Sequence, residues 1–283
     1  MKIALINTLY PPLSVGGAER VVQSLARGLV DGGDSVTVLT LASDRQTAVE
    51  QAEGVDIVRL PLQNLYWPFG AQASAPARLL WHAVDSHNLA AARALENQLR
   101  RLRPDLVHTH NLAGFSSLAW RAAKALGLPL VHTLHDYYLL CPRSTMRRGK
   151  INCASPCASC NVFGTARRAK APLVDSVVGV SDFILRRHES LGVFPAHAAR
   201  RVIHNGLTHA TPPAAPMRPQ RPCADVLRLG YLGRIEAAKG IEYLLRATSE
   251  LAPGSWQLRI AGKGDAAYAA GLKAAYPSEA ITY

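Results

Sequence analysis

The most constraining feature of this sequence is a strict alternation. Short runs that are apolar on every residue are separated by stretches of helical period. "KIALINT" opens the chain, and "SVTVLTL" follows after "AERVVQSLARGLVDGG", in which Val21, Leu25 and Leu29 recur four apart. A run with no polar alternation predicts a strand covered on both faces, which points to a parallel sheet. Strand, helix, strand at this length is what a parallel crossover requires. The pattern continues through "VDIVRLPL", the helix "LAAARALENQLRRLRP" with Leu95, Leu99 and Leu102 on one stripe, "DLVHTH", "SSLAWRAAKALG", "LPLVHTLH", "SVVGV", "SDFILRRHESLG" and "RRVIHNGL". Ser181 is placed to cap the last of these helices. The series predicts a doubly wound α/β domain over residues 1–207.

Proline then interrupts. "THATPPAAPMRPQRPCAD" sustains neither a ladder nor a helix, so residues 208–225 are expected to be a linker. The alternation restarts over 226–283 with "VLRLGYLG", "GIEYLLRATSEL", "WQLRIAG" and "DAAYAAGLKAAY", and stops at "SEAITY". So short a domain buries too little surface to be more than marginal, and its last strand would leave an open edge. The second domain is therefore expected to be incomplete in this chain.

Charge narrows the partners. Lys and Arg number 32 against 20 Asp and Glu, a formal net charge of +12. That balance suits an anionic partner: nucleic acid, an acidic membrane surface or a phosphorylated substrate. Nucleic acid is disfavoured, because the basic segment from Cys141 onward brings only Phe163 as an aromatic and sits inside an α/β series without a basic recognition helix. No apolar stretch is long enough for a membrane span, and "YPP" stands where a signal peptide would need small residues. A cytoplasmic protein is expected. From Tyr137 to Val174 there is no acid, while Arg143, Arg147, Arg148, Lys150, Arg167, Arg168 and Lys170 all fall there. Such a segment is suited to docking on the inner, anionic face of a membrane, or to a phosphorylated lipid-linked acceptor.

Several residues are candidates for chemistry. Gly16 and Gly17, between the first strand and helix, let backbone approach a ligand at a helix N-terminus that favours anions. The spacing is not that of a dinucleotide fingerprint. In "GYLGRIEAAKG", Arg234 and Lys239 follow a strand end, where two cations can clamp a diphosphate without a metal. Gly262, Gly264 and Asp265 of "IAGKGD" follow the next strand; close approach to a ligand and a plain helix start capped by Asp265 are both open. His110 and Asn111 end one strand, and His135 and Asp136 end the next, so both pairs fall at the sheet edge where ligands of such folds bind. No Ser/His/Asp order, HExxH or Walker loop is present.

Four cysteines lie close together, in the order Cys141-x11-Cys153-x3-Cys157-x2-Cys160. The last three have the spacing of structural zinc ligands, with Cys141 as a fourth thiolate. Structural zinc is the leading expectation; reduced thiols, a disulfide or an iron–sulfur site remain open. Cys223 is left over in the linker.

These pieces in this order resemble the family 4 retaining glycosyltransferases, which have the GT-B fold. The resemblance rests on "YPPLSVGGAERVV", "RPDLVHTHN", "HTLHDYYLLCPR", "GVSDFILRR", "VIHNGL", "GYLGRIEAAKGIEYLL" and "IAGKGD", and spans nearly the whole chain. It implies two facing Rossmann-like domains and a nucleotide-sugar donor held mainly by the second. Arg234 and Lys239 would hold the diphosphate, with Gly16 and Gly17 approaching it from the other wall and Gly262, Gly264 and Asp265 beside the nucleotide. His135 would be the histidine near the reacting sugar, and His110, Asn111 and Asp136 would face a saccharide or lipid-linked acceptor. Transfer would retain the anomeric configuration and need no catalytic metal, with cell-surface glycan biosynthesis as the setting. Some members carry a similar cysteine insert after the "HDYYLLCP" position. The part of the family that carries its Glu-x7-Glu donor motif is expected to be missing from this chain, so the alternative expectation is a truncated relative that binds acceptor or membrane without catalysis.

Overall fold

The computed structural model describes residues 1–14, 16–44, 46–70, 73–149, 151–206 and 226–283. The linker stretch, Cys223 and Lys150 lie outside them. The chain divides into two compact units, Met1–Ala210 and Thr211–Tyr283.

The first unit is built on β1 (Lys2–Ile6), α1 (Ala18–Asp31), β2 (Ser35–Ala42), β3 (Ala48–Ala52), β4 (Val55–Pro61), α2 (Ala75–Ser86), α3 (Leu89–Leu102), β5 (Leu106–Thr109), α4 (Leu118–Lys124) and β6 (Leu130–Leu134). A small hairpin follows, β7 (Arg147–Arg148) and β8 (Ile151–Asn152), then α5 (Ala158–Arg168), β9 (Ser176–Gly179), α6 (Asp182–Glu189) and β10 (Ala199–Val202). The main sheet runs β10-β9-β6-β5-β1-β2-β4-β3. Its pairings are parallel except for β3, which returns antiparallel to β4 as an exposed edge. The chain winds outward from β1 through β2 and β4, then restarts at β5 on the other side of β1. The strand order therefore reverses between β1 and β5, and ligands of such sheets bind outside the strand ends at that point.

Side chains alternate across the sheet, and the two sets enter different cores. Ile3 and Leu5 of β1 pack with Val36, Val38 and Ile57 against Val22 and Ala26 of α1. Ala4 and Ile6 point the other way, into a larger core with Leu95 and Leu99 of α3 and Trp120 of α4. The expected stripe on α3 is therefore its core face. On α1 the core face is Val22 and Ala26, while Val21, Leu25 and Leu29 are only half-buried.

The cysteine segment is anchored at its base: Tyr138, Leu139, Leu140, Cys141 and Met146 are buried in the larger core. Arg187 of α6 donates to the Cys153 carbonyl at 2.8 Å and to that of Ala154. Arg167 of α5 and Asp85 of α2 form an ion pair of 2.8 Å with both side chains fully buried.

The second unit has β11 (Leu227–Leu232), α7 (Ile241–Ser249), β12 (Trp256–Ala261), α8 (Ala266–Ala275) and β13 (Ile281–Thr282), with three parallel strands in the order β11-β12-β13. On β12, Trp256, Leu258 and Ile260 are buried against Leu245 of α7 and Leu272 of α8, while Gln257, Arg259 and Ala261 are exposed.

Candidate active site

The edge of the first sheet is assembled from three strand ends. Beyond β1, the buried Asn7 and Thr8 hold Asn111: the Asn111 N–H donates to Asn7 Oδ1 at 3.0 Å, and the Thr8 N–H and hydroxyl both donate to the Asn111 carbonyl, at 2.9 and 3.0 Å. Beyond β5, the His110 N–H continues the ladder onto the Ile6 carbonyl at 2.9 Å. Arg59 of β4, also buried, donates to the Tyr10 and Pro11 carbonyls and fixes the loop that follows β1.

His110 and His135 are brought together, as their positions at adjacent strand ends predict. His110 Nδ1 lies 3.0 Å from His135 Nε2, and the His108 ring sits 4.3 Å from that of His110. Burial pushes His135 and His108 down to about 4; burial and the neighbouring histidines push His110 well below its ordinary value. Near neutral pH both rings are uncharged, so the contact is one N–H donating to one lone pair. The second ring nitrogen of His110, Nε2, is buried and has no partner. The histidines open on a cavity of about 450 Å³, lined also by Thr133 and by Val21 and Leu25 of α1. The helical stripe read from the sequence thus borders this cavity.

Two carboxylates stand at the same end of the unit. Asp136 is half-buried and accepts the Tyr138 N–H at 2.8 Å; burial lifts it to about 6 against that hydrogen bond, with Glu19 adding to the rise. Glu19, which the sequence reading did not single out, is buried and accepts the Gly16 N–H at 3.1 Å. The anion-favouring start of α1 therefore holds the chain's own carboxylate at Gly16, while a Cβ at Gly17 would meet nothing within 4 Å.

In the second unit, Arg234, Glu236, Lys263, Gly264, Asp265 and Tyr268 line a recess of about 360 Å³ beyond the ends of β11 and β12. Arg234 pairs with Glu236 at 3.1 Å and is half exposed. Lys239 sits on the short 3-10 turn Ala237–Lys239 and is not among the lining residues; Lys263 is the second cation of the recess. A lysine set between two glycines directly after a strand was the signal for it. Asp265 caps α8, accepting the Tyr268 N–H at 2.7 Å, and also lines the recess. Gly262 and Gly264 are required by chain packing: a Cβ would stand 1.8 Å from the Gly233 carbonyl oxygen at the first and 2.4 Å from the Ile235 carbonyl oxygen at the second.

The four cysteines converge on one cavity of about 400 Å³, with Arg78, Arg143, Arg147 and Arg148 in its wall. Cys157 and Cys160 are in contact, Sγ to Sγ 3.4 Å. The Ser159 hydroxyl brings Cys157 down to about 7, while burial and the Cys157 and Cys141 thiols push Cys160 up to about 12. Among the described residues, no group of three or more His, Cys, Asp or Glu side chains is placed to hold a metal ion. The four thiols share this one cavity, and Cys160 is neighboured by both Cys157 and Cys141.

The fold belongs to a known class. The chain is a member of Glycosyltransferase Family 4, whose family model matches residues 15–210. It is 32% identical over 243 residues to an uncharacterized 42.6 kDa protein in the cps region of Klebsiella pneumoniae, covering 86% of this chain and 63% of that protein. It is 28% identical over 274 residues to a glycogen synthase of Mycobacterium tuberculosis, covering 93% of this chain and 62% of the synthase. The chain therefore spans less than two thirds of the length of either relative. Sucrose-phosphate synthase from Thermosynechococcus elongatus has the same fold, with a TM-score of 0.66 at 20% identity over 99% of this chain and 69% of that one. The α/β architecture with its parallel-dominated sheets is of the GT-B type.

Proposed function

We propose that this chain contributes to a retaining glycosyl transfer from a nucleotide-sugar donor to a saccharide or lipid-linked acceptor, in cell-surface glycan biosynthesis. The observation that carries the reading is the His110–His135 pair, uncharged near neutral pH and turned to a cavity at the reversal point of the sheet. In this reading His135 stands by the reacting sugar and orients it with an uncharged imidazole. His110 holds His135 in one tautomer, and Asn111 and Asp136 face the acceptor. Gly17 leaves room for the donor phosphates. Arg234, with Lys263 beside it, takes the diphosphate, and the leaving phosphate accepts the acceptor's proton. The arginine fork supplies the electrostatic stabilisation that a metal supplies elsewhere.

Calorimetric titration of the chain with UDP, ADP and GDP tests the donor half. One of them binds, and Arg234→Ala weakens it roughly 10- to 100-fold, the worth of a charge-assisted contact. Equal affinity in the variant, or no binding by any of the three, overturns the assignment.

The basic segment that carries Arg143, Arg147, Arg148 and Arg168 is proposed to rest on an anionic bilayer. Among the described residues, no helix is long and apolar enough to cross one. Flotation with phosphatidylglycerol vesicles checks this: binding at low salt that fades as salt is raised supports it, and no binding at low salt overturns it.

A further inference from the structure

The cysteine cavity is separate from the histidine cavity and shares no lining residue with it. Its geometry is that of a reactive pair. Cys157 is the N-cap of α5, an eleven-residue helix, and Cys160 lies in the first turn. A thiol at a helix N-terminus is favoured as thiolate. Arg78, Arg143, Arg147 and Arg148 stand in the wall of the same cavity. The two sulfurs are 3.4 Å apart, in direct contact across one turn of chain. Behind them Cys141 is buried, while Cys157 is only half-buried and reaches the cavity. The cavity has room for a small molecule and walls that favour an anion.

We propose that Cys157 and Cys160 form a reversible thiol–disulfide exchange site for anionic low-molecular-weight disulfides of the glutathione type. The Cys157 thiolate attacks one sulfur of the small disulfide. The Cys157–sulfur bond forms, the S–S bond of the small molecule breaks, and one small thiolate leaves and takes a proton from water. Cys160 then loses its proton to water, and its sulfur attacks Cys157 Sγ. The intramolecular disulfide forms and the second small thiolate leaves. Two cysteine thiols are oxidised by two electrons, and one small disulfide is reduced to two thiols. Arg167, further along the same helix, makes the buried pair with Asp85, so the oxidised turn is joined to the body of the first unit through α5.

The test uses the whole chain equilibrated in glutathione buffers of increasing oxidised fraction, then quenched with an alkylating reagent and weighed intact. The wild-type chain is expected to lose two alkylatable thiols together, and peptide mapping to place the bond between Cys157 and Cys160. Cys160→Ser should stop at a glutathione adduct on Cys157. Cys157→Ser, which leaves a good helix cap, should form neither the adduct nor the bond. An adduct elsewhere that is unchanged in Cys157→Ser overturns the proposal. So does a purified wild-type chain that holds zinc and resists alkylation until a chelator removes it, because the four thiols would then be a metal site.

Discussion

Arg167 Nη2 donates to Asp85 Oδ2 across 2.8 Å with neither side chain exposed to solvent. Asp85 also accepts from the Tyr138 hydroxyl at 2.8 Å and the Gly114 N–H at 2.6 Å, and the guanidinium lies 4.0 Å from the centre of the Tyr138 ring. Three segments far apart in sequence are joined by this one network: α2, the loop after β5, and the cysteine segment. A buried ion pair adds little net stability over an apolar pair of equal volume, yet removing one partner strands the other charge.

Asp85→Ala is therefore expected to destabilise the first unit by about 3–5 kcal/mol, and Arg167→Met by a similar amount. The double variant should cost less than the sum, because neither charge is left alone. Urea unfolding of the four proteins measures the coupling, and strict additivity would show that the pair does not act as a unit.

The histidines give the chain a pH dependence with a definite sign. His82, His108, His135 and His188 are each pushed down to about 4 by burial, and burial also pushes His110 and His132 well below their ordinary value. In the unfolded chain each takes a proton near pH 6.5. Between that value and the folded one the unfolded state binds more protons, so stability is complete above pH 6.5 and falls as the pH drops toward 4. The slope is at most about 1.4 kcal/mol per pH unit for each histidine, less where neighbouring rings are coupled. Urea midpoints at pH 7.5, 6 and 5 should fall steadily, and a flat profile would mean that these rings are not held neutral by burial.

Much of this was legible in the sequence, and the gaps have physical causes. The parallel strands were plain because burial on both faces leaves an unbroken apolar run, as in "KIALINT". α2 was missed because it presents few residues to the core: Trp81 is buried, but Leu79 and Leu80 are exposed. β3 was missed because all five of its residues are exposed. The α1 stripe was found, but the cavity and the core lie on neighbouring faces of the helix, and spacing alone does not say which is which. His110 and His135 were legible because strand ends at the reversal point fall where the topology puts them. Glu19, Asp85 and Arg167 were not, since a charged residue in a helix reads as solvated until its partner is known.

The glycines of the second unit make a steric prediction. Gly262 has φ +154, and its Cα faces the Gly233 carbonyl so closely that any Cβ must displace backbone. Gly264 is bridged to Ile235 with the same result. Gly262→Ala and Gly264→Ala should each destabilise the second unit by about 1–3 kcal/mol, the range for overpacking a site that cannot give way. Thermal unfolding detects this directly. A wild-type transition in both variants would mean that the β11 and β12 loops are not in contact.

Gly17 makes the opposite prediction and separates packing from ligand approach. Its backbone is ordinary right-handed, with φ −88 and ψ −23, and nothing lies within 4 Å of where a Cβ would stand. Alanine there should leave stability unchanged to within about 0.5 kcal/mol, as surface substitutions do. If the donor's phosphates pass over this position, the same methyl group occupies their space. Gly17→Ala should then weaken nucleotide-sugar use while leaving the unfolding curve in place. The loss should appear chiefly in KM, because the methyl hinders binding in ground and transition states alike. Equal transfer kinetics in Gly17→Ala and wild type would show that the glycine pair serves the turn into α1 and that the donor does not approach there.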